Sequence, residues 1–454
     1  MPEPETSAET ADAPAQAPER PKQAGGAITG LAVVGASILT QLLSTVNAVL
    51  ASRMLGVEGR GQVVLVTSLA MMASQLTLGG GLPNAITKLL ADKGFSARDG
   101  LGHLMGRLLL VSLVPAVAVA GYLLVLQRHD HGGTKYALAV ALALMALQTM
   151  GLRVLIGAML GEGTPLLSFA LTNLAPQVVT SLAFVVAFAV GADLNAVQTL
   201  ALIIGSALLT SLVRLLALRK PTHDPAHRLE SGELWELTKK THIGSVGPID
   251  GLSIDRTLVG SLLGNAQLGL YSAAFSLASL TNILGGSLAM VALPRIAVVQ
   301  DDPERERLVV RGWIMLSGAV ILVAVVGLEL IAAPTIRIAF GHEFTPATAC
   351  ARWLIAAGGL LSFRRVLIAI LQGRGHGGWA SWIEVALTPF VVLGVWLASR
   401  ADDVIYAGLT MAVVGVISCL MLAVGAHRSR PGGGHHGDEA PPTEEDVLET
   451  PVTT

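Results

Sequence analysis

"RVLIGAMLGEG" at residues 153–163 and "RVLIAILQGRG" at residues 365–375 share six of eleven residues at an offset of 212. A second pair, "LASRMLGVEGRGQVVLVTSLA" at 50–70 and "LVGSLLGNAQLGLYSAAFSLA" at 258–278, shares seven of 21 residues at an offset of 208. Because the two offsets nearly agree, the chain contains a duplicated unit of about 210 residues, and this internal repeat decides the architecture.

The composition is that of a membrane protein. Of the 454 residues, 52% are hydrophobic and only 14% are charged, against roughly 25% charged in soluble domains. The apolar residues fall into runs of about 20 or more, which is enough to cross the hydrocarbon core as a helix. We predict twelve spans, six in each duplicated unit: 27–52, 62–82, 104–126, 136–159, 166–190, 196–218, 243–263, 268–293, 309–331, 350–371, 379–398 and 404–426.

The predicted fold is an all-α polytopic membrane protein with twelve transmembrane helices in two parallel six-helix lobes. The repeats are parallel because an even number of spans returns the chain to the side on which it started. We expect a disordered tail at 1–26, an N-lobe at 27–218, a linker with an amphipathic helix at 219–242, a C-lobe at 243–426 and a second disordered tail at 427–454. Transporters built from parallel repeats carry substrate at the interface of their lobes.

The positive charges predict the orientation of the chain. If the amino terminus is cytoplasmic, most of the 30 lysines and arginines fall on the inner segments and adjoining helix ends, as the positive-inside rule requires. The first 26 residues lack the basic start and apolar core of a signal peptide. We therefore expect a multi-pass protein of the cell membrane with both termini, both tails and the linker in the cytoplasm.

Charged residues inside the predicted spans are the sharpest functional clues, because each costs roughly 2.5–3.5 kcal/mol to insert. Asp255 and Arg256 fall near the middle of the seventh span, five residues after Asp250. Neighbouring residues point about 100° apart on a helix, so at least one should face the lobe interface. The alternative is a structural ion pair with other helices. At the 208 offset, Asp255 aligns with Asn47, for which an interhelical hydrogen bond is the simpler role.

Five more ionisable residues are candidates for function. The repeat aligns Arg153 with Arg365, which follows Arg364, although all three lie close enough to the membrane surface to snorkel. Arg53 borders the first outer turn together with Arg60 and Glu58, and the simpler interpretation of all three is that they are solvated charges at the membrane surface. Glu384, near the inner end of the eleventh span, could couple transport to a proton if it faces a cavity, or snorkel as well.

The chain lacks the patterns of the common enzyme classes. It contains no GxxxxGK[ST] loop, no HExxH pattern and no recognisable Ser/His/Asp arrangement. The two cysteines, Cys350 and Cys419, lie in predicted spans without metal-ligand spacing. We therefore expect no enzymatic activity, no cofactor, no metal ion and no nucleic-acid partner.

Several segments together resemble one known family. They are "ASRMLGVEGRGQVVL" (51–65), "GLPNAITKLLA" (81–91), "DRTLVGSLLGNAQLGLYSAAFSL" (255–277), "LPRIA" (293–297) and "FGHEFTPATACARWL" (340–354). Their order and spacing, over residues from about 28 to 426, resemble the polysaccharide flippases, of the O-antigen and teichoic-acid type, in the multidrug/oligosaccharidyl-lipid/polysaccharide exporter superfamily. The resemblance implies two lobes around a central cavity, alternating access, and transfer of a polyprenyl-pyrophosphate-linked oligosaccharide from the inner to the outer leaflet. It also implies contact with membrane lipids, and partnership with a polysaccharide polymerase and glycosyltransferases.

Such a substrate needs cationic groups for its pyrophosphate, and arginine binds phosphate oxygens with two parallel hydrogen bonds. The candidates for substrate binding are Arg256, Arg153, Arg365, Arg364, Arg53 and Asn47; those for ion coupling are Asp255, Asp250 and Glu384. A cation-coupled multidrug exporter of the same fold is the alternative, and Asp255 would serve it. A lipid II flippase-like protein is a weaker alternative, because the chain has twelve predicted spans instead of fourteen and no arginine in the membrane part of its first span.

Overall fold

The computed structural model describes residues 26–128, 132–220, 228–245, 247, 252–299, 302–374 and 378–428. Nearly all of the two predicted tails lies outside these ranges, as does Asp250. Within the described ranges the regular structure is entirely helical. The first half contains α1 (Gly26–Ser74), α2 (Leu82–Lys93), α3 (Ala97–Gly102), α4 (Met105–Leu126), α5 (Thr134–Gly161), α6 (Pro165–Phe169), α7 (Ala175–Ala189) and α8 (Ala196–Ala217).

The second half begins with the linker helix. Its helices are α9 (Ser231–Ser245), α10 (Ile254–Leu262), α11 (Gly264–Ala278), α12 (Leu280–Ala297), α13 (Pro303–Thr335), α14 (Ala347–Gly373), α15 (Gly378–Ala401) and α16 (Ile405–Arg428). Single π-turns follow α1 at Gln75–Gly79, α6 at Ala170–Leu174 and α13 at Ile336–Phe340. Helix α14 contacts α11, α12, α13 and α16, and therefore forms the centre of the C-lobe core.

The predicted spans agree with the helices of the structure. Ten helices in the described part are long and apolar enough to cross a membrane. One of them, running over Gly35–Thr77, is 43 residues long and contains a break at Gly56, so it accounts for the first and second spans. The remaining predicted span, the seventh, is represented by the nine residues of α10. The membrane side on which Gly56 lies is called the far side below; the side of α9 is the linker side.

The duplicated glycines make the same turn in both lobes. Gly56 has a φ of 65° and Gly264, its partner at the 208 offset, has a φ of 86°. Both angles fall in the left-handed region that costs glycine least. Each glycine ends the first helix of its lobe on the far side and precedes the second, so the repeat in the sequence is matched by a positive φ at the same place in both lobes.

The repeated "RVLI" motif also keeps its contacts. Arg153 Nε donates to Ser74 Oγ over 2.9 Å, and Arg365 Nη1 donates to the carbonyl oxygen of Asn282 over 3.4 Å. Ser74 and Asn282 are themselves 208 residues apart. Each arginine therefore joins the fourth helix of its lobe to the same position on the second helix.

The end of the motif connects the fourth helix of each lobe to neighbouring segments on the linker side. The carboxylate of Glu162 accepts hydrogen bonds from the backbone N–H groups of Ala97, at 2.8 Å, and Arg219, at 3.0 Å. At the equivalent position, Arg374 donates to the carbonyl oxygen of Ala426 over 2.6 Å and to the carboxylate of Glu306. The two residues carry opposite charge, yet both join the end of the fourth helix to the region where the third helix begins and to the end of the sixth.

Candidate functional site

A cavity of about 570 Å³ lies between the two lobes. Its walls come from α1, α7 and α8 of the N-lobe and from α10, α11, α12, α14 and α16 of the C-lobe. Three arginines and one aspartate line it: Arg60, Arg256, Arg365 and Asp255. The uncharged polar lining residues are Gln41, Ser44, Thr45, Asn47, Gln177, Thr180, Ser276, Ser279 and Asn282. The cavity is thus a net cationic space in which polar side chains alternate with apolar ones.

Asp255 and Arg256 enter the cavity from the first turn of α10. The sequence placed them near the middle of a helical span that began at residue 243, but α10 begins only at Ile254. Asp255 is 5% exposed, and its Oδ2 accepts a hydrogen bond of 2.8 Å from the hydroxyl of Tyr271. The carboxylate is therefore held in place from the adjoining helix α11.

The guanidinium of Arg256 is fixed on two sides. Its Nη2 donates to Ser253 Oγ over 3.0 Å, and its central carbon lies 4.3 Å from the ring centre of Phe275. A cation over an aromatic face is attracted by the ring quadrupole. Within the described part of the chain the Nε atom of Arg256 is buried without a hydrogen-bond partner. A donor is therefore available for an anion in the cavity.

Arg60 is the cavity residue that the sequence did not predict. It was expected to be solvated beside Glu58, but it is half-buried, and its Nε is also buried without a partner among the described residues. Its charge is repelled by that of Arg256. Eleven residues, which make three turns, separate Arg60 from Met71, another lining residue. That spacing places both on one helix face, but the sequence alone does not show that this face is turned to the cavity.

Of the duplicated arginines, Arg365 lines the cavity and Arg153 does not. The Nη2 of Arg153 lies 3.8 Å from the sulfur of Met71, which is a lining residue. Arg153 therefore supports the wall of the cavity from behind.

Asn47 lines the cavity but is engaged within the N-lobe. Its Nδ2 donates to Gln177 Oε1 over 2.8 Å, and its Oδ1 accepts from Ser181 Oγ over 2.7 Å. These contacts fix α1 against α7. Gln41, also on α1, instead contacts the other lobe: its Nε2 donates to Ser279 Oγ over 2.8 Å.

The remaining candidates lie away from the cavity. Arg364 and Glu384 form a buried ion pair between α14 and α15, with side chains that are 0% and 9% exposed. Arg53 reaches across the far side and donates to the carbonyl oxygens of Ile338 and Ala339, the latter over 2.7 Å. Asp250 is outside the described residues. No group of three His, Cys, Asp or Glu side chains in the described ranges could hold a metal ion.

Residues 137–349 match a protein family model described as "Polysaccharide biosynthesis protein". No curated protein sequence matches the chain. The solved structures with a similar fold include an inward-facing multidrug resistance MATE family transporter of the MOP superfamily, 15% identical, with a TM-score of 0.67 over 89% of this chain and 100% of that one. They also include the lipid II flippase MurJ in an inward closed conformation, 11% identical, with a TM-score of 0.69 over 87% of each chain.

A third similar structure is a MOP superfamily transporter from Pyrococcus furiosus, 15% identical, with a TM-score of 0.58 over 88% of this chain and 95% of that one. All three likenesses extend over nearly the whole described chain and establish its fold. These findings agree with the resemblance that the sequence motifs predicted: the chain shares the fold of transporters of the MOP superfamily, and its residues 137–349 are similar to a polysaccharide biosynthesis family.

Proposed function

We propose that the protein is a flippase that moves a polyprenyl-pyrophosphate-linked oligosaccharide from the cytoplasmic to the outer leaflet by alternating access. The observation that carries this proposal is the cavity lined by Arg60, Arg256 and Arg365. A pyrophosphate is doubly charged or more, and an arginine fork binds its oxygens with charge-assisted hydrogen bonds. Inside a protein these bonds are electrostatically stronger than in water.

The other lining groups suit the sugar part of such a substrate. Side-chain amides and hydroxyls, such as Gln41, Gln177 and Thr180, can donate and accept hydrogen bonds to sugar hydroxyls. The polyprenyl tail does not need to enter the cavity, because it can remain in the bilayer between the lobes. The protein would then supply a wet path for the headgroup alone and perform no covalent chemistry.

The contacts between the lobes suggest which side the cavity faces. On the far side, Arg53 contacts the π-turn that follows α13 and Tyr122 Oη lies 3.1 Å from Ser261 Oγ, which joins α4 to α10. Both contacts hold the two lobes together beyond the cavity. We propose that the linker side is cytoplasmic, in line with its excess of basic residues, so that this conformation receives substrate from the cytoplasmic leaflet.

The test is to delete the gene and measure the lipid-linked oligosaccharide pool of each leaflet. Deletion should cause the pool to accumulate on the cytoplasmic side. The wild type should clear it, whereas Arg256→Ala and Arg365→Ala should not. Arg400→Ala is the matched control, because Arg400 lies against Trp396 at the end of α15 and does not line the cavity. A clearance rate equal to that of the wild type for both cavity variants, at equal expression, would exclude the proposal.

Asp255 supports a second candidate, a cation-coupled multidrug exporter. It is a buried carboxylate in the same cavity, and an acid facing a cavity can bind a proton or a drug cation. This function makes the opposite demands on the side chains: Asp255→Asn should abolish drug efflux while the three arginines are dispensable. Unchanged lipid-linked pools together with lost resistance to cationic drugs would favour the exporter.

The substrate also defines the partners that we propose. Glycosyltransferases must build the oligosaccharide on its lipid carrier in the cytoplasmic leaflet before transfer. A polymerase must consume the unit once it reaches the outer leaflet. Membrane lipids surround the described spans throughout.

A further inference from the structure

A second, smaller cavity of about 260 Å³ opens on the linker side between the start of α4 and the linker helix α9. Most of its lining is apolar: Leu82, Leu104, Leu108, Leu110, Val111, Leu234 and Trp235. Two polar residues, Arg107 and Ser231, complete it. It shares no lining residue with the cavity between the lobes.

Helix α9 forms a firmly attached wall of this groove. A Cβ at Gly81 would lie 2.4 Å from the carbonyl oxygen of Thr238, so α9 packs directly against the backbone before α2. Leu234 is 4% exposed, and Lys93 Nζ lies 2.5 Å from a carboxylate oxygen of Glu233. These contacts hold α9 against α2, so the wall that α9 contributes to the groove is fixed to the N-lobe.

The groove lies at the linker-side end of a helix that is long and apolar enough to cross the membrane. Helix α4 is a membrane-crossing helix that begins at Met105, so its first turns emerge on the linker side. Leu110 is 65% exposed and Trp235 is 37% exposed, so both present apolar surface on the outside of the protein. Tryptophan prefers the interfacial level of a membrane, since its ring is apolar at one end and polar at the other.

One cation stands at the mouth of the groove. Arg107 Nη1 donates to Ser231 Oγ over 3.3 Å, which joins α4 to α9, and the arginine side chain is exposed. A guanidinium has five N–H donors, and the hydrogen bond to Ser231 uses one of them. The others can donate to the oxygens of an anion. An apolar slot closed by an arginine matches an acyl chain attached to a phosphate.

We propose that this groove is a binding site for an anionic phospholipid of the linker-side leaflet. The acyl chain lies along Leu108, Val111 and Leu234, and the phosphate accepts hydrogen bonds from Arg107. Basic residues near a membrane surface are attracted to anionic lipids, and basic pockets between helices bind their headgroups. The site is independent of the proposed transport reaction, and its occupant would hold the linker helix against the N-lobe.

Trp235 provides the probe. The full-length protein is placed in nanodiscs whose phosphatidylglycerol or phosphatidylcholine carries brominated acyl chains, and the fluorescence of Trp235 is taken as the difference from a Trp235→Phe variant. We expect brominated phosphatidylglycerol to quench this signal several-fold more than phosphatidylcholine at equal mole fraction. Arg107→Gln should remove the difference, whereas Arg107→Lys should retain it. Arg311→Gln is the matched control, since Arg311 is an exposed arginine near the linker-side end of α13.

Val111→Phe should fill the groove and lower the quenching by both lipids while Arg107 stays in place. This variant and Arg107→Lys keep the test decisive if Arg107→Gln does not fold. Equal quenching by the two lipids would overturn the proposal, as would an Arg107→Gln protein with an unchanged preference. Stronger quenching by a brominated polyprenyl phosphate than by phosphatidylglycerol would also overturn it, because the groove would then bind the tail of the transported lipid.

Discussion

Gly61 lies so close to Asn265 of the other lobe that a Cβ on the glycine would be 1.8 Å from the asparagine carbonyl oxygen. The contact recurs in reverse, because a Cβ on Gly269 would be 2.0 Å from the carbonyl oxygen of Val57. Both partners are related by the offset of 208. The second helices of the two lobes therefore meet backbone to backbone around a local twofold axis, and this contact helps to close the far side of the cavity.

We expect Gly61→Ala to destabilise the protein. In an open helix interior the change would be favourable by roughly 0.5–1 kcal/mol, but here the methyl group must displace a carbonyl of the facing helix. Overpacking of this kind costs about 1–3 kcal/mol. Thermal unfolding in detergent should show a lower midpoint. Gly121→Ala, in α4, is the control, since a Cβ there meets nothing within 4 Å. A midpoint for Gly61→Ala equal to or higher than that of the wild type would contradict the close contact.

Arg53 is expected to latch the far side. It donates to two successive carbonyl oxygens, those of Ile338 and Ala339, in the π-turn that follows α13. Arg53→Ala should therefore favour opening of the cavity to the far side. Ala51, a buried lining residue, can be replaced by cysteine and labelled with a membrane-impermeant thiol reagent. The labelling rate should rise several-fold in Arg53→Ala.

Two further variants test the geometry of this latch. Arg53→Lys should give an intermediate labelling rate, because one ammonium group replaces the two-pronged guanidinium. Arg352→Ala removes another arginine from the same side, one whose side chain is 63% exposed and lies 4.0 Å from Glu329; it should leave the rate unchanged. If the cysteine at position 51 is labelled at the same rate with and without Arg53→Ala, the far side is closed by other contacts.

The repeat in the sequence predicted the fold because each duplicated segment encodes a local requirement. Gly56 and Gly264 are needed where the backbone reverses, and the apolar runs between such turns have the length of a membrane. The start of α10 was not predictable in the same way. Pro248 and Gly251 indicate a kinked or loosened helix before Ile254, but neither they nor the hydropathy mark the residue at which α10 begins.

The candidate site was only partly predictable for a related reason. A charge in a span signals a cavity or a partner, but it does not say which. Arg256 and Arg365 line the cavity, whereas Arg364 meets a carboxylate twenty residues later on another helix. Arg60 was assigned to solvent because it follows a turn, and only the packing of the lobes shows that its helix face is turned inward.

Arg60→Gln should lower transport while raising stability. Arg60 and Arg256 repel one another in the cavity. Removing one of the two charges should therefore stabilise the protein without substrate. It should also weaken binding of the substrate's pyrophosphate, which loses one of its hydrogen-bond donors. Functional sites commonly carry such a stability cost. Clearance of the lipid-linked pool should fall together with a higher unfolding midpoint. Arg337→Gln, at an exposed arginine in the π-turn after α13, should change neither quantity. A lower midpoint for Arg60→Gln would show that the cation stabilises the fold instead.

The buried pair of Arg364 and Glu384 should behave as a structural element of the C-lobe. Glu384→Gln leaves a guanidinium that is 0% exposed without its counter-ion, and breaking a buried pair in this way costs about 3–5 kcal/mol. Replacing both partners, by Arg364→Met with Glu384→Leu, should recover much of this loss, because no charge then remains buried. Glu236→Gln is the control: Glu236 pairs with Lys240 over 2.7 Å, but both side chains are 70% exposed, so the unfolding midpoint should not change.

The same variants distinguish this role from proton coupling through Glu384. If the pair is structural, the double replacement restores both the unfolding midpoint and clearance of the lipid-linked pool, with the pH dependence of the wild type. If Glu384 carries a coupling proton, the double replacement restores stability but not transport, since the carboxyl group itself is required in the cycle. Transport assayed over a range of pH in the stabilised double variant therefore decides between a carboxylate that holds two helices together and one that is protonated at each turnover.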